Sequence, residues 1–80
     1  IKMKEYEMYF QKERAAYISA QFKGDNEDAA LHMGRMQGYK RALYSMKLIS
    51  YEESDKMHKE ILSTIDFVFH MRERQRNRNK

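Results

Sequence analysis

Three histidines (His32, His58 and His70) and two isolated acids (Glu13 and Asp66) are the side chains of this 80-residue chain best suited to metal binding or proton transfer. A helical metal site places two ligands four residues apart on one face and completes them with a third donor. No two of the histidines have that spacing, and there is no cysteine to supply a thiolate. No metal and no cofactor is therefore expected, and the histidines are expected to be buried or half-buried with hydrogen-bond partners. A lone acid beside apolar surface, as at Glu13 or Asp66, could acquire the raised pKa that proton transfer uses. A solvated edge is the expected place for both. No glycine-rich phosphate loop, nucleophile–His–acid set or paired carboxylates can be read from the chain. No catalytic residue is expected, and the chain is expected not to be an enzyme.

Charge is the remaining chemistry. The net charge is +4, and residues 72–80 hold five bases and one acid, so the rest of the chain sums to zero. Arg72, Arg74, Arg76 and Arg78 alternate with acidic or amide residues. On an extended segment that spacing aligns the guanidiniums along one side, which suits a phosphate backbone; on a helix it scatters them. With Lys40, Lys47 and Lys80, and Tyr44 nearby, they form a candidate nucleic-acid surface. The bland alternative is a basic helix end complementing the helix dipole.

These groups must be positioned by helices. The chain has no proline, and no apolar run approaches the roughly 18 residues of a membrane span. No secretory leader is expected from its first residues. The absence of cysteine fits a reducing compartment, so a cytoplasmic location is expected. Gly24 stops a first helix of about residues 2–22, and Asp25 or Asn26 caps a second of about 26–48. Ser50-Tyr51-Glu52-Glu53 is a capping box that opens a third, of about 51–76. The fold class expected is all-α, an antiparallel three-helix bundle: residues 1–71 form a single helical domain and 72–80 a basic C-terminal tail. A middle helix of about six turns is too long for a helix-turn-helix DNA reader.

Periodicity assigns the faces. Met3, Tyr6, Phe10, Glu13, Tyr17 and Ala20 form one stripe, and Ala29, His32, Met36, Tyr39, Leu43 and Met46 form its antiparallel complement. Glu13 then falls opposite Met36, at the seam edge, within reach of water or Arg35. A second stripe, Ala30, Gly34, Gly38 and Ala42, carries two glycines inside one helix. Each is unfavourable by about 1 kcal/mol relative to alanine. The third helix is therefore expected to pack closely there, with Leu62, Ile65, Phe69 and His58 opposite the small residues and the second helix in the middle of a layer.

Ile18, Phe22, Phe67 and Met71 lie off these main faces, and Tyr44 sits in the polar sector of the second helix. These five are the expected surface for a protein partner or for a homodimer. The segment from Leu43 to Leu62, with its Leu48-Ile49-Ser50-Tyr51-Glu52-Glu53 turn, resembles the short helical hairpin called SHOCT. It is also similar to small accessory proteins of phages and plasmids of Gram-positive bacteria. Lys47 stands where that hairpin usually carries a glycine before the turn. The resemblance implies an interaction or oligomerisation module of a mobile element, with no catalytic residues. The function expected is a small regulatory or inhibitory protein, encoded by a phage or mobile element, that binds a protein; nucleic-acid binding through the basic tail is the alternative.

Overall fold

A computed structural model describes residues 4–78, leaving Met3 and Lys80 outside the described residues. Three helices follow one another: α1 (Glu5–Lys23), α2 (Asn26–Ser45) and α3 (Tyr51–Arg78). No strand occurs among the described residues.

Each boundary has a local cause. Gly24, at φ 77°, lets its own amide donate to the Gln21 carbonyl and that of Asp25 to the Ala20 carbonyl. This is a Schellman ending of α1. The Asp25 side chain then accepts from the Asp28 amide (3.0 Å) and caps α2. α2 stops three residues earlier than periodicity suggests, because the same ending is built again without glycine. Lys47 takes φ 60°, its amide reaches the Tyr44 carbonyl and that of Leu48 reaches the Leu43 carbonyl. Ile49 is buried in the connection. The capping box is formed in both directions: Ser50 Oγ accepts from the Glu53 amide and Glu53 Oε1 accepts from the Ser50 amide, each at 3.1 Å.

α1 and α2 form an antiparallel hairpin with the most extensive contact in the molecule. Its seam follows the expected stripe: Phe10, Tyr17 and Ala20 of α1 and Ala29, Met36 and Leu43 of α2 are buried. Met46 is exposed, since it lies past the end of α2.

The position of α3 departs from expectation. It turns Met57, Ile61, Thr64 and Val68 inward, and these pack in the groove between α1 and α2. Leu62, Ile65 and Phe69 remain exposed, as do Ala30, Gly34, Gly38 and Ala42. A Cβ added at Gly34 or Gly38 would meet nothing within 4 Å, so the small-residue stripe faces open solvent and mediates no close approach. The reason is geometric: a helix stacked on the back of α2 buries one face of one neighbour, whereas a helix in the groove buries its face against two. Thr64 does not obstruct this burial. Its hydroxyl donates to the Glu60 carbonyl (2.7 Å) and accepts from Arg14 Nε (2.8 Å). α3 runs parallel to α1, as the ascending pairs Tyr6–Glu53, Gln11–Glu60, Arg14–Thr64 and Gln21–Arg72 show.

Candidate functional site

Two hydrogen bonds fix which faces of α1 and α3 meet. Gln11 Nε2 donates to Glu60 Oε2 (3.0 Å) and Arg14 Nε to Thr64 Oγ1 (2.8 Å). Continuing by helical periodicity, the α1 face of residues 11 and 14 carries Ile18 and Phe22, and the α3 face of 60 and 64 carries Phe67 and Met71. Because the helices are parallel, Ile18 falls at the level of Phe67 and Phe22 at that of Met71. Four of the five expected surface residues thus converge on one side of the molecule. Phe22 and Phe67 are 38 % and 45 % exposed, Met71 is half-buried, and Ile18 packs partly against the core. Tyr44 does not join them. It lies at the other end of the bundle, its ring 6.3 Å from that of Tyr51 in an edge-on contact.

The basic residues are not brought together. α3 is continuous through Arg78, so residues 72–78 are the last turns of a helix and not an extended tail. At about 100° per residue, Arg72, Arg74, Arg76 and Arg78 point around the axis, and no one-sided array exists along the described residues. Arg72 donates to Gln21 Oε1 (3.1 Å), and Arg76 lies 3.6 Å from Glu73. Lys40 is 3.3 Å from His58 Nδ1, some 14 residues down α3 from Arg72, or roughly 20 Å at 1.5 Å per residue. Lys47 sits in the turn before α3.

Glu13 is buried and does not sit at the seam edge. Its Oε2 meets His32 Nδ1 at 2.5 Å and its Oε1 lies 3.7 Å from Arg35, while His32 Nε2 faces Asp28 at 3.3 Å. Burial of this acid is tolerated because two cationic or donor groups share its charge. The link to Arg35 is legible from sequence. The His32 contact is a one-turn diagonal across the seam, which a level-by-level pairing of the stripes misses. Asp66 is exposed and pairs with His70 at 3.3 Å. Among the described residues, no group of three or more His, Cys, Asp or Glu side chains could hold a metal ion.

A cleft of about 390 Å³ opens between the first turns of α1 and α3, lined among others by Tyr6, Phe10, Glu53, Lys56, Met57 and Glu60. The Tyr6 hydroxyl donates to Glu53 Oε2 across it. That hydrogen bond, aided by the Ser50 amide, holds the Glu53 carboxyl down at about 2. It also pushes the Tyr6 phenol up to about 12, with desolvation adding to the effect. Sequence reasoning gave Glu53 only its capping role, and the parallel register of α1 and α3 is what delivers Tyr6 to it. No family model, curated protein or solved structure matches this chain.

Proposed function

We propose that this is a small non-enzymatic regulatory or inhibitory protein that acts by binding another protein and associates with itself. The observation that carries the reading is the convergence of Ile18, Phe22, Phe67 and Met71 on one side, with two large aromatic side chains left partly in water. Exposed aromatic and methionine side chains clustered on a rigid helical face are typical anchors of protein interfaces. The likeness of the α2–α3 turn to a helical interaction hairpin points the same way. Among the described residues no helix is long and apolar enough to cross a membrane, so a membrane-embedded role gains no support.

Capture from the native host with the intact chain as bait, under nuclease treatment, tests this. A stoichiometric protein partner is expected, and Phe22→Ser with Phe67→Ser should release it while leaving the helical circular dichroism unchanged. Retention by that double variant would refute the assignment of the face. A second reading, nucleic-acid binding, draws on the four exposed arginines in the last turns of α3. It predicts a salt-sensitive mobility shift that disappears when the chain is cut after Met71.

A further inference from the structure

The flank of α3 opposite its α1 contacts, at the rim of the hairpin groove, carries its own exposed apolar stripe. His58 at its upstream end lies 3.3 Å from Lys40 of α2, and Ile65 and Phe69 line a cleft with Tyr17 and Gln21 of α1. Leu62, Ile65 and Phe69 follow one another at steps of three and four and are 53 %, 42 % and 59 % exposed. The stripe continues upstream through His58 and Asp55, and downstream through Arg72, Glu73 and Arg76. It is separate from the Phe67 and Met71 face, which lies on the α1 side of the same helix.

Charge along this flank of α3 is divided. On the stripe itself the upstream end carries Asp55 and the downstream end carries Arg72 and Arg76 against Glu73, while Glu53 and Glu60 are tied to Tyr6 and Gln11 on the α1 side. A stripe with an acidic upstream end and a basic downstream end is complementary to itself in one orientation only, the antiparallel one. The apolar stripe has the matching symmetry. When residues whose numbers sum to 131 are placed side by side, Leu62 of each copy meets Phe69 of the other, with Ile65 next to the two-fold axis. The same register sets Asp55 beside Arg76 of the other copy and His58 beside Glu73. Among the described residues of the single chain, Asp55 and Arg76 make local ion pairs one helical turn away, to Lys59 and Glu73.

We propose that two copies associate through this face, α3 against α3, antiparallel, with Leu62, Ile65 and Phe69 as the apolar seam. This deepens the self-association in the reading above and leaves the heterologous partner on the other face. A single helix–helix seam falls below the ~1,200 Å² of ordinary specific interfaces, so the dimer belongs to the weak, reversible class.

Sedimentation equilibrium of the full chain up to about 1 mM, the range set by so small an interface, tests the proposal. The expected result is a monomer–dimer equilibrium that Leu62→Glu with Phe69→Glu abolishes. Circular dichroism of that variant should be unchanged, because both side chains are exposed. Arg76→Glu should weaken association several-fold, and adding Asp55→Arg should restore it. The chain has no cysteine, so orientation can be read by cross-linking. Leu62→Cys mixed with Phe69→Cys should form a disulfide, whereas each alone should not, its two copies lying about 10 Å apart along the seam. A wild-type chain that stays monomeric overturns the inference. So does a dimer that survives the Leu62/Phe69 variant, is lost through Phe67→Glu and Met71→Glu instead, or cross-links Leu62→Cys to itself. Partner capture through Phe22 and Phe67 is a separate readout and would survive a monomeric wild type or a Leu62 self-cross-link, whereas loss of the dimer through Phe67 and Met71 would place the second copy on the partner's face.

Discussion

Alanine at Gly34 and Gly38 is the most discriminating perturbation of this fold, because two architectures give it opposite signs. If α3 nestled against the back of α2, each new methyl would collide with a large side chain and destabilise the protein. In the groove-bound arrangement an added Cβ meets nothing within 4 Å at either position, and both backbones are ordinary helix. The substitution then only removes the conformational freedom that glycine loses on folding, worth about 0.8–1.0 kcal/mol each. The pair should add to ~2 kcal/mol. For a domain of this size, 1 kcal/mol moves the melting temperature by about 4–8 °C, so the double variant should melt roughly 10 °C higher. Gly24→Ala is the internal control: its φ of 77° is strained for any residue with a Cβ, so the same change should lower stability by about 1 kcal/mol. Thermal and urea unfolding followed by circular dichroism, at concentrations where the chain is monomeric, measures all three. A loss of stability at Gly34 or Gly38 would refute the groove-bound placement of α3.

Other outcomes follow from the polar ties and the turns. The Tyr6–Glu53 hydrogen bond makes stability depend on pH at both extremes. Glu53, held near 2 against an ordinary 4.5, contributes fully above about 4.5 and loses its contribution as pH falls toward 2. Tyr6, raised from 10 to about 12, contributes below 10 and loses its contribution as pH rises toward 12. Tyr6→Phe should flatten the alkaline flank and most of the acid flank of the urea midpoint profile; an unchanged profile would contradict the assignment. Glu13→Ala should lower stability by about 2 kcal/mol in urea unfolding, since it leaves His32 and Arg35 without their buried acceptor. Lys47→Gly should raise stability by up to about 1 kcal/mol, because Lys47 holds a left-handed conformation that glycine adopts without strain. Ser50→Ala should lower it by about 1 kcal/mol through loss of the capping box.

The sequence is most explicit where structure is local. Gly24, Asp25 and the Ser50–Glu53 box act on backbone groups within four residues, and each makes the bond its type suggests. The α1–α2 seam is legible for a related reason: a turn of only two residues leaves one register in which the two apolar stripes meet. The placement of α3 is not legible in that way. It follows a five-residue connection, and its sequence offers two apolar stripes, one through Ile61 and Val68 and the other through Leu62, Ile65 and Phe69. The inward stripe includes Thr64, whose polarity hides the position until Arg14 and the Glu60 carbonyl are seen to satisfy it. The glycine stripe of α2 is uninformative for a physical reason too. Small residues in a row are necessary for a close helix crossing but do not demand one. The converging face of Ile18, Phe22, Phe67 and Met71 was visible as leftover apolar residues, and only the parallel register of α1 and α3 brings them together.

Three helices running up, down and up again leave the two ends of the described chain at opposite poles. Residue 4 sits beside the first turn of α3, and residue 78 lies a full α3 length away, about 40 Å at 1.5 Å per residue. A label or neighbouring domain joined at the front is therefore held by a stiff spacer far from one joined at the back. In an antiparallel pair, the front of each copy lies beside the back of the other, so a donor and acceptor dye that are remote on a single chain come close between chains.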